Sequence, residues 1–115
     1  MVCIYHNPRC SKSRETLALL QQQGITPEVI RYLETPPDVP TLKRLLQQLG
    51  MQSARELMRQ KEEPYQQLAL NRADLTEEQL LQALADYPQL IERPIVVSGE
   101  RARIGRPPEA VLAIL

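Results

Sequence analysis

A chain of 115 residues is long enough for one core and too short for two, so its motifs are assigned to a single domain, residues 1–115. Apolar residues make up 43% and charged residues 24%, which excludes disorder, and formal charge sums to zero with no run of like sign, which excludes an electrostatic surface for nucleic acid. No apolar stretch approaches the ~20 residues that span a bilayer and no signal-peptide zones open the chain, so a cytoplasmic protein that does not bind membranes is expected.

Val2-Cys3-Ile4-Tyr5 is a short apolar run that predicts a buried strand, and the breaker cluster His6-Asn7-Pro8 ends it in a loop. Residues 10–23 favour a helix, with Leu17 and Leu20 on one face, Leu19 beside them and Gly24 at its C-terminal cap. Residues 28–33 predict a second strand, so the first third reads as a β-α-β unit with parallel strands. After Pro36-Pro37, Leu42, Leu45, Leu46 and Leu49 recur at amphipathic helix spacing up to Gly50. Ser53 with Glu56, and Thr76 with Gln79, fit capping boxes that open two more helices, the second stopping near Pro88. Residues 95–98 and 101–104 flank Gly99-Glu100 as a tight hairpin, and a final helix starts at Pro107 or Pro108, carrying Ala110, Val111 and Ile114. The pattern β-α-β, helical insertion (about 38–88), β-β-α is that of a thioredoxin-like α/β fold. It is glutaredoxin-like, with a mixed four-stranded sheet and an insertion after the second strand.

Cys10 lies between a strand's end and a helix's start, where free backbone N–H groups and the helix dipole favour a thiolate. Arg9, Lys12 and Arg14 add positive charge around it, and His6 is placed to share charge with the sulfur, so Cys10 is the candidate nucleophile. Cys3 sits inside an apolar strand and reads as a small core residue. Ser13 occupies the fourth position of what would be a Cys-x-x-Cys pair, so turnover needs an external thiol. Two cysteines and one histidine exclude a closed zinc site. A tyrosine-phosphatase cradle is excluded because Thr16 stands where its Cys-x5-Arg spacing demands arginine. Arginines outnumber lysines eleven to three, which suits bidentate binding of an oxyanion, and Arg93 and Arg106 stand out by preceding Pro94 and Pro107 at element boundaries.

The run Tyr5-His6-Asn7-Pro8-Arg9-Cys10-Ser11-Lys12-Ser13-Arg14 is followed by Tyr32-Leu33-Glu34-Thr35-Pro36-Pro37 and Glu63-Pro64-Tyr65. Arg93-Pro94-Ile95-Val96-Val97 and Arg106-Pro107 complete a set that resembles the ArsC family of glutaredoxin-coupled arsenate reductases, close to its YfgD-like branch. The resemblance implies reduction of arsenate to arsenite with Cys10 as nucleophile, glutathione as co-substrate, glutaredoxin as the protein that resolves the mixed disulfide, and no bound cofactor or metal. It further implies that His6 helps keep the thiolate, that Arg93, Arg106 and Arg59 hold the oxyanion together with Ser13, and that the Arg93-Pro94 bond is cis. The third arginine is open in register between Arg59 and Arg55. Two departures from the plasmid-type enzymes are Arg9, in place of a small residue, and Gly105, where some carry a cysteine. A monomer is expected. Two other readings use the same fold: a thiol reductase acting on another substrate, and a Spx-like protein that binds RNA polymerase, although Spx-type switching uses a Cys-x-x-Cys pair that this chain lacks.

Overall fold

The apolar run at the N-terminus forms β1 (Val2–Tyr5), which ends where His6-Asn7-Pro8 leaves the sheet. The computed structural model describes residues 1–115 and pairs this strand with β2 (Glu28–Ile30), β3 (Ile95–Ser98) and β4 (Arg101–Ile104), in the order β2-β1-β3-β4. Strands β1 and β2 are parallel, as the β-α-β pattern predicts, whereas β3 runs antiparallel to both β1 and β4. The β3–β4 hairpin turns on Gly99-Glu100, and Gly99 takes a φ of 62°, the left-handed value that such a turn needs at its first position.

Alternation along the strands puts Ile4 and Val96 on one face, where α1 (Ser11–Gln22) and the C-terminal segment Pro108–Ile114 cover them. Leu20, Val111 and Ile114 complete this buried cluster, with Leu17, Leu19, Val2 and Ile25 packed around it. The C-terminal segment was expected as an α-helix and is a 3-10 helix. Its buried residues Pro108, Val111 and Ile114 recur every third position, the period of a 3-10 turn, so this winding turns all three to the core.

The second strand is shorter than its apolar run. Its last bond to the neighbouring segment is from His6 N–H to the Ile30 carbonyl at 2.7 Å, and after it the chain closes a turn in which Thr35 donates to the Arg31 carbonyl at 2.9 Å.

The chain divides into two compact units, one of residues 1–35 with 93–115 and the other of residues 36–92. The second unit is helical. Its α2 (Val39–Leu49) is capped by the Asp38 carboxylate, which accepts from the Thr41 N–H at 3.0 Å, and is closed by Gly50 at a φ of 73°. Short α3 (Glu63–Gln67) follows, and α4 (Glu77–Asp86) opens with the predicted Thr76–Gln79 capping box and packs on α2 through leucines. The Ser53–Glu56 box also forms, but it starts only a 3-10 turn, Ala54–Leu57. Met58 is pulled into an antiparallel bridge with Ile91, and Arg59 N–H donates to the Leu90 carbonyl at 2.7 Å, so tertiary pairing ends the turn that the cap began. No helix is long and apolar enough to cross a membrane.

Leu20 is fully buried where α1 meets the sheet, and Leu20→Ala is expected to cost about 2–5 kcal/mol in urea denaturation with an unchanged m-value. A loss below about 1 kcal/mol would show that this face is not packed as described.

Candidate active site

The strand register gathers four chain segments at one edge of the sheet. Tyr5 lies opposite Ile30 on one side and Ile95 on the other, and Ile95 lies opposite Ile104. The loop that follows Tyr5, the residues just before Ile95 and those just after Ile104 therefore leave the sheet at that edge. This brings Cys10, Arg93 and Arg106 together from positions far apart in the chain.

Cys10 is the N-cap of α1, with extended φ and ψ of −96° and 123°, and makes no side-chain capping bond. Its own N–H donates to the Asn7 carbonyl at 3.0 Å, and its carbonyl accepts the first helical bond, from Arg14 N–H, at 3.0 Å. No acidic residue occupies the first turn, so nothing on the helix neutralises the positive end of its dipole. Partial burial of Cys10 pushes its pKa up. That effect is outweighed by the Ser13 N–H, by the hydrogen bond and charge of the Arg93 guanidinium, and by the Lys12 N–H, so the thiol lies below its ordinary range. Arg106 adds a longer contact, Nη2 to Sγ at 3.8 Å, and is anchored by its Nε, which donates to the Arg93 carbonyl at 2.8 Å. The Nε of Arg93 itself is buried without an acceptor.

Ser13 and His6 support this loop from beneath. The Ser13 side chain is fully buried, accepts from the Asn7 N–H at 3.0 Å and shares a hydrogen bond with His6 Nδ1 at 2.6 Å. It is the Ser13 backbone N–H, not its hydroxyl, that serves the Cys10 sulfur. Burial, then the charges of Arg31 and Arg14, lower the His6 pKa, so the imidazole is neutral at physiological pH and its Nδ1 is engaged by Ser13. Arg14 ties the loop to the helix through Nη1, which donates to the Pro8 carbonyl at 2.8 Å.

Arg59 belongs to the helical unit, where its Nη1 is paired with Glu62 at 2.6 Å. Arg55, the alternative in register, is taken up by main chain: Nε donates to the Leu70 carbonyl at 3.1 Å and Nη2 to that of Arg72 at 2.8 Å. Cys3 differs from Cys10 in sign. Burial, and then the charge of Glu28 beside it, raise its pKa, and both cysteines are free thiols.

Both Arg93-Pro94, as expected, and Arg106-Pro107 are cis. The close packing of Gly105 went unread in the sequence. A Cβ there would fall 2.5 Å from Thr16 Oγ1 and 3.0 Å from Pro94 Cγ. Thr16 is fully buried and fixed by its hydrogen bond to the Lys12 carbonyl at 2.7 Å, so it has no room to withdraw. The available signal was a lone glycine at a strand's end, which marks a close approach of backbone to a neighbour.

A mixed four-stranded sheet of this order, with a cysteine activated at the start of its first helix and arginines gathered at the same sheet edge, defines a thioredoxin-like thiol protein. The sequence pattern of the ArsC family matches residues 5–114, and the chain belongs to that family. It is 64% identical over 114 residues to YfgD of Escherichia coli (strain K12), covering 99% of this chain and 96% of the relative. An arsenate reductase of Haemophilus influenzae is 50% identical over 114 residues, covering 99% and 98%. The solved structure of an arsenate reductase from Vibrio cholerae superposes with a TM-score of 0.97 at 61% identity, covering 99% of this chain and 97% of that one.

Two outcomes check this geometry. Arg93→Gln removes a hydrogen bond and a charge that both lower the Cys10 pKa, so the pH profile of Cys10 alkylation by iodoacetamide shifts to higher pH and the rate at neutral pH falls. Gly105→Ala is expected to destabilise the protein by about 1–3 kcal/mol, and adding Thr16→Ala to recover part of that loss, because the second change removes the Thr16 atoms that the new Cβ meets and leaves only the Pro94 contact. Additive losses in that double-mutant cycle would refute the contact.

Proposed function

We propose that the protein is an arsenate reductase that converts arsenate to arsenite through a thiolate-arsenate adduct on Cys10, with glutathione and glutaredoxin as electron donors. The observation that carries this reading is the buried, acceptor-free Nε of Arg93 beside a sulfur whose pKa is depressed. A buried guanidinium N–H left without a partner costs about 1–3 kcal/mol. An oxyanion at the sulfur supplies the missing acceptor, and Arg106, already within reach of Sγ, stabilises charge on its other oxygens. The arsenate reductases among the relatives support the choice of oxyanion.

In this mechanism the Cys10 thiolate attacks arsenic, a sulfur–arsenic bond forms and one arsenate oxygen leaves as water. Glutathione supplies the second thiol. Its thiolate attacks the Cys10 sulfur, the Cys10–glutathione S–S bond forms, and the sulfur–arsenic bond breaks with its electron pair left on arsenic, which departs as arsenite; glutaredoxin then reduces the disulfide. The chain has only one activated cysteine, Cys10, and its other thiol is held protonated in β1, which is why the electrons come from outside. His6 and Ser13 act by holding the loop that presents the sulfur. Arg59 is the third oxyanion ligand in this reading, exchanging its ion pair with Glu62, because Arg55 commits Nε and Nη2 to the carbonyls of Leu70 and Arg72. The protein acts as a monomer in the cytoplasm.

The test is arsenate-dependent NADPH oxidation coupled through glutathione reductase, with glutathione and glutaredoxin present. Activity should vanish in Cys10→Ser and survive in Cys3→Ser. A wild-type protein with no arsenate-dependent rate would overturn the reading and turn attention to another thiol substrate.

A further inference from the structure

The loop that carries Cys10 also forms one wall of a cavity of about 440 Å³, bounded by His6, Pro8, Arg9, Arg31, Leu33 and Glu34. That volume is in the range of small-molecule sites. Arg31 follows the end of β2, and Ile30 lies opposite Tyr5, so Arg31 emerges at the same sheet edge as the Cys10 loop. Neither Arg9 nor Arg31 belongs to the set of groups that hold the Cys10 sulfur. The Arg9 guanidinium has no ion-pair partner, and its residue is tied down only through its backbone N–H, which donates to Asn7 Oδ1 at 3.0 Å. Arg31 reaches Glu34 only at 4.0 Å, with both side chains more than half exposed, a pairing worth little in water. Its charge nonetheless reaches the cavity wall, since it acts with Arg14 to lower the His6 pKa.

We propose that this cavity seats the thiol co-substrate, an anionic peptide thiol of the glutathione class, with Arg9 and Arg31 as contacts for its carboxylates. The proposal rests on the reading that an external thiol reduces Cys10. The charge pattern matches such a molecule: two cations for its carboxylates, Glu34 at the rim for its ammonium, and Pro8 and Leu33 along its aliphatic stem. Position matches too, because the segment His6–Arg9 that walls the cavity runs directly into Cys10 at the start of α1. Arsenate has no use for this cavity, as its oxygens belong with Arg93 and Arg106 at the sulfur.

The half-reaction that isolates the cavity needs no arsenate. The Cys10 thiolate attacks one sulfur of glutathione disulfide, the new Cys10–glutathione S–S bond forms, the old S–S bond breaks, and its electron pair leaves on a glutathione thiolate. Mass spectrometry of the intact protein, mapped to Cys10, gives the rate with glutathione disulfide and with the uncharged bis(2-hydroxyethyl) disulfide. In Arg31→Gln the rate with glutathione disulfide is expected to fall on the order of tenfold, as for loss of a charge-assisted contact, while the rate with the uncharged disulfide stays within about twofold. Arg9→Gln should show the same selectivity. Equal slowing with both disulfides, or no slowing with either in both variants, overturns the proposal. Normal reaction with glutathione disulfide but slower clearance of the mixed disulfide by glutaredoxin also overturns it, assigning the arginines to protein docking. Selective slowing in a protein that shows no arsenate reduction sinks the proposed function and sustains the cavity; arsenate reduction without selective slowing does the reverse.

Discussion

Everything at this site depends on favouring the charged form of one partly buried sulfur. Burial alone works against that charge, because a thiolate taken from water loses hydration that a neutral thiol scarcely needs. The protein offsets this with donors already in place: the Ser13 and Lys12 N–H groups at the open end of α1, and the Arg93 guanidinium. Because the donors are fixed by folding, they need no reorganisation to meet charge on the sulfur.

That arrangement is a consequence of sheet register. Strand β1 ends where β3 begins and β4 ends, so the Cys10 loop and the two arginines meet without any long loop. Arg106 is held by the Arg93 carbonyl, and the chain between β4 and Arg106 passes so close to α1 that only glycine fits at position 105. The packing of Thr16 against Gly105 thus helps set where a guanidinium sits relative to Cys10.

The helical unit shows how two arginines four residues apart in sequence acquire different parts. Arg55 satisfies carbonyls of Leu70 and Arg72 and so holds an irregular segment together, whereas Arg59 meets a single carboxylate at a partly exposed ion pair. An ion pair of that kind contributes little in water, while removing a guanidinium bonded to two main-chain oxygens leaves both without that partner.

Much of this was legible in the amino-acid order, because it rests on local physics. The apolar runs, the breaker after Tyr5, the leucine spacing of α2, the glycines at Gly50 and Gly99 and the capping boxes each act within a few residues, and so placed the strands, most helices and Cys10 at a helix N-terminus. What only the tertiary structure decided involves partners distant in sequence. Strand β2 stopped at Ile30, whose carbonyl takes its last cross-strand bond from His6, and the Ser53 turn was cut short by the pairing of Met58 with Ile91. The C-terminal segment wound as a 3-10 helix to bury every third residue, and His6 turned its Nδ1 to Ser13. The backbone approach at Gly105 and the cavity between Arg9 and Arg31 also exist only once the strands are in register, since no residue's own propensity encodes which distant atom will lie beside it.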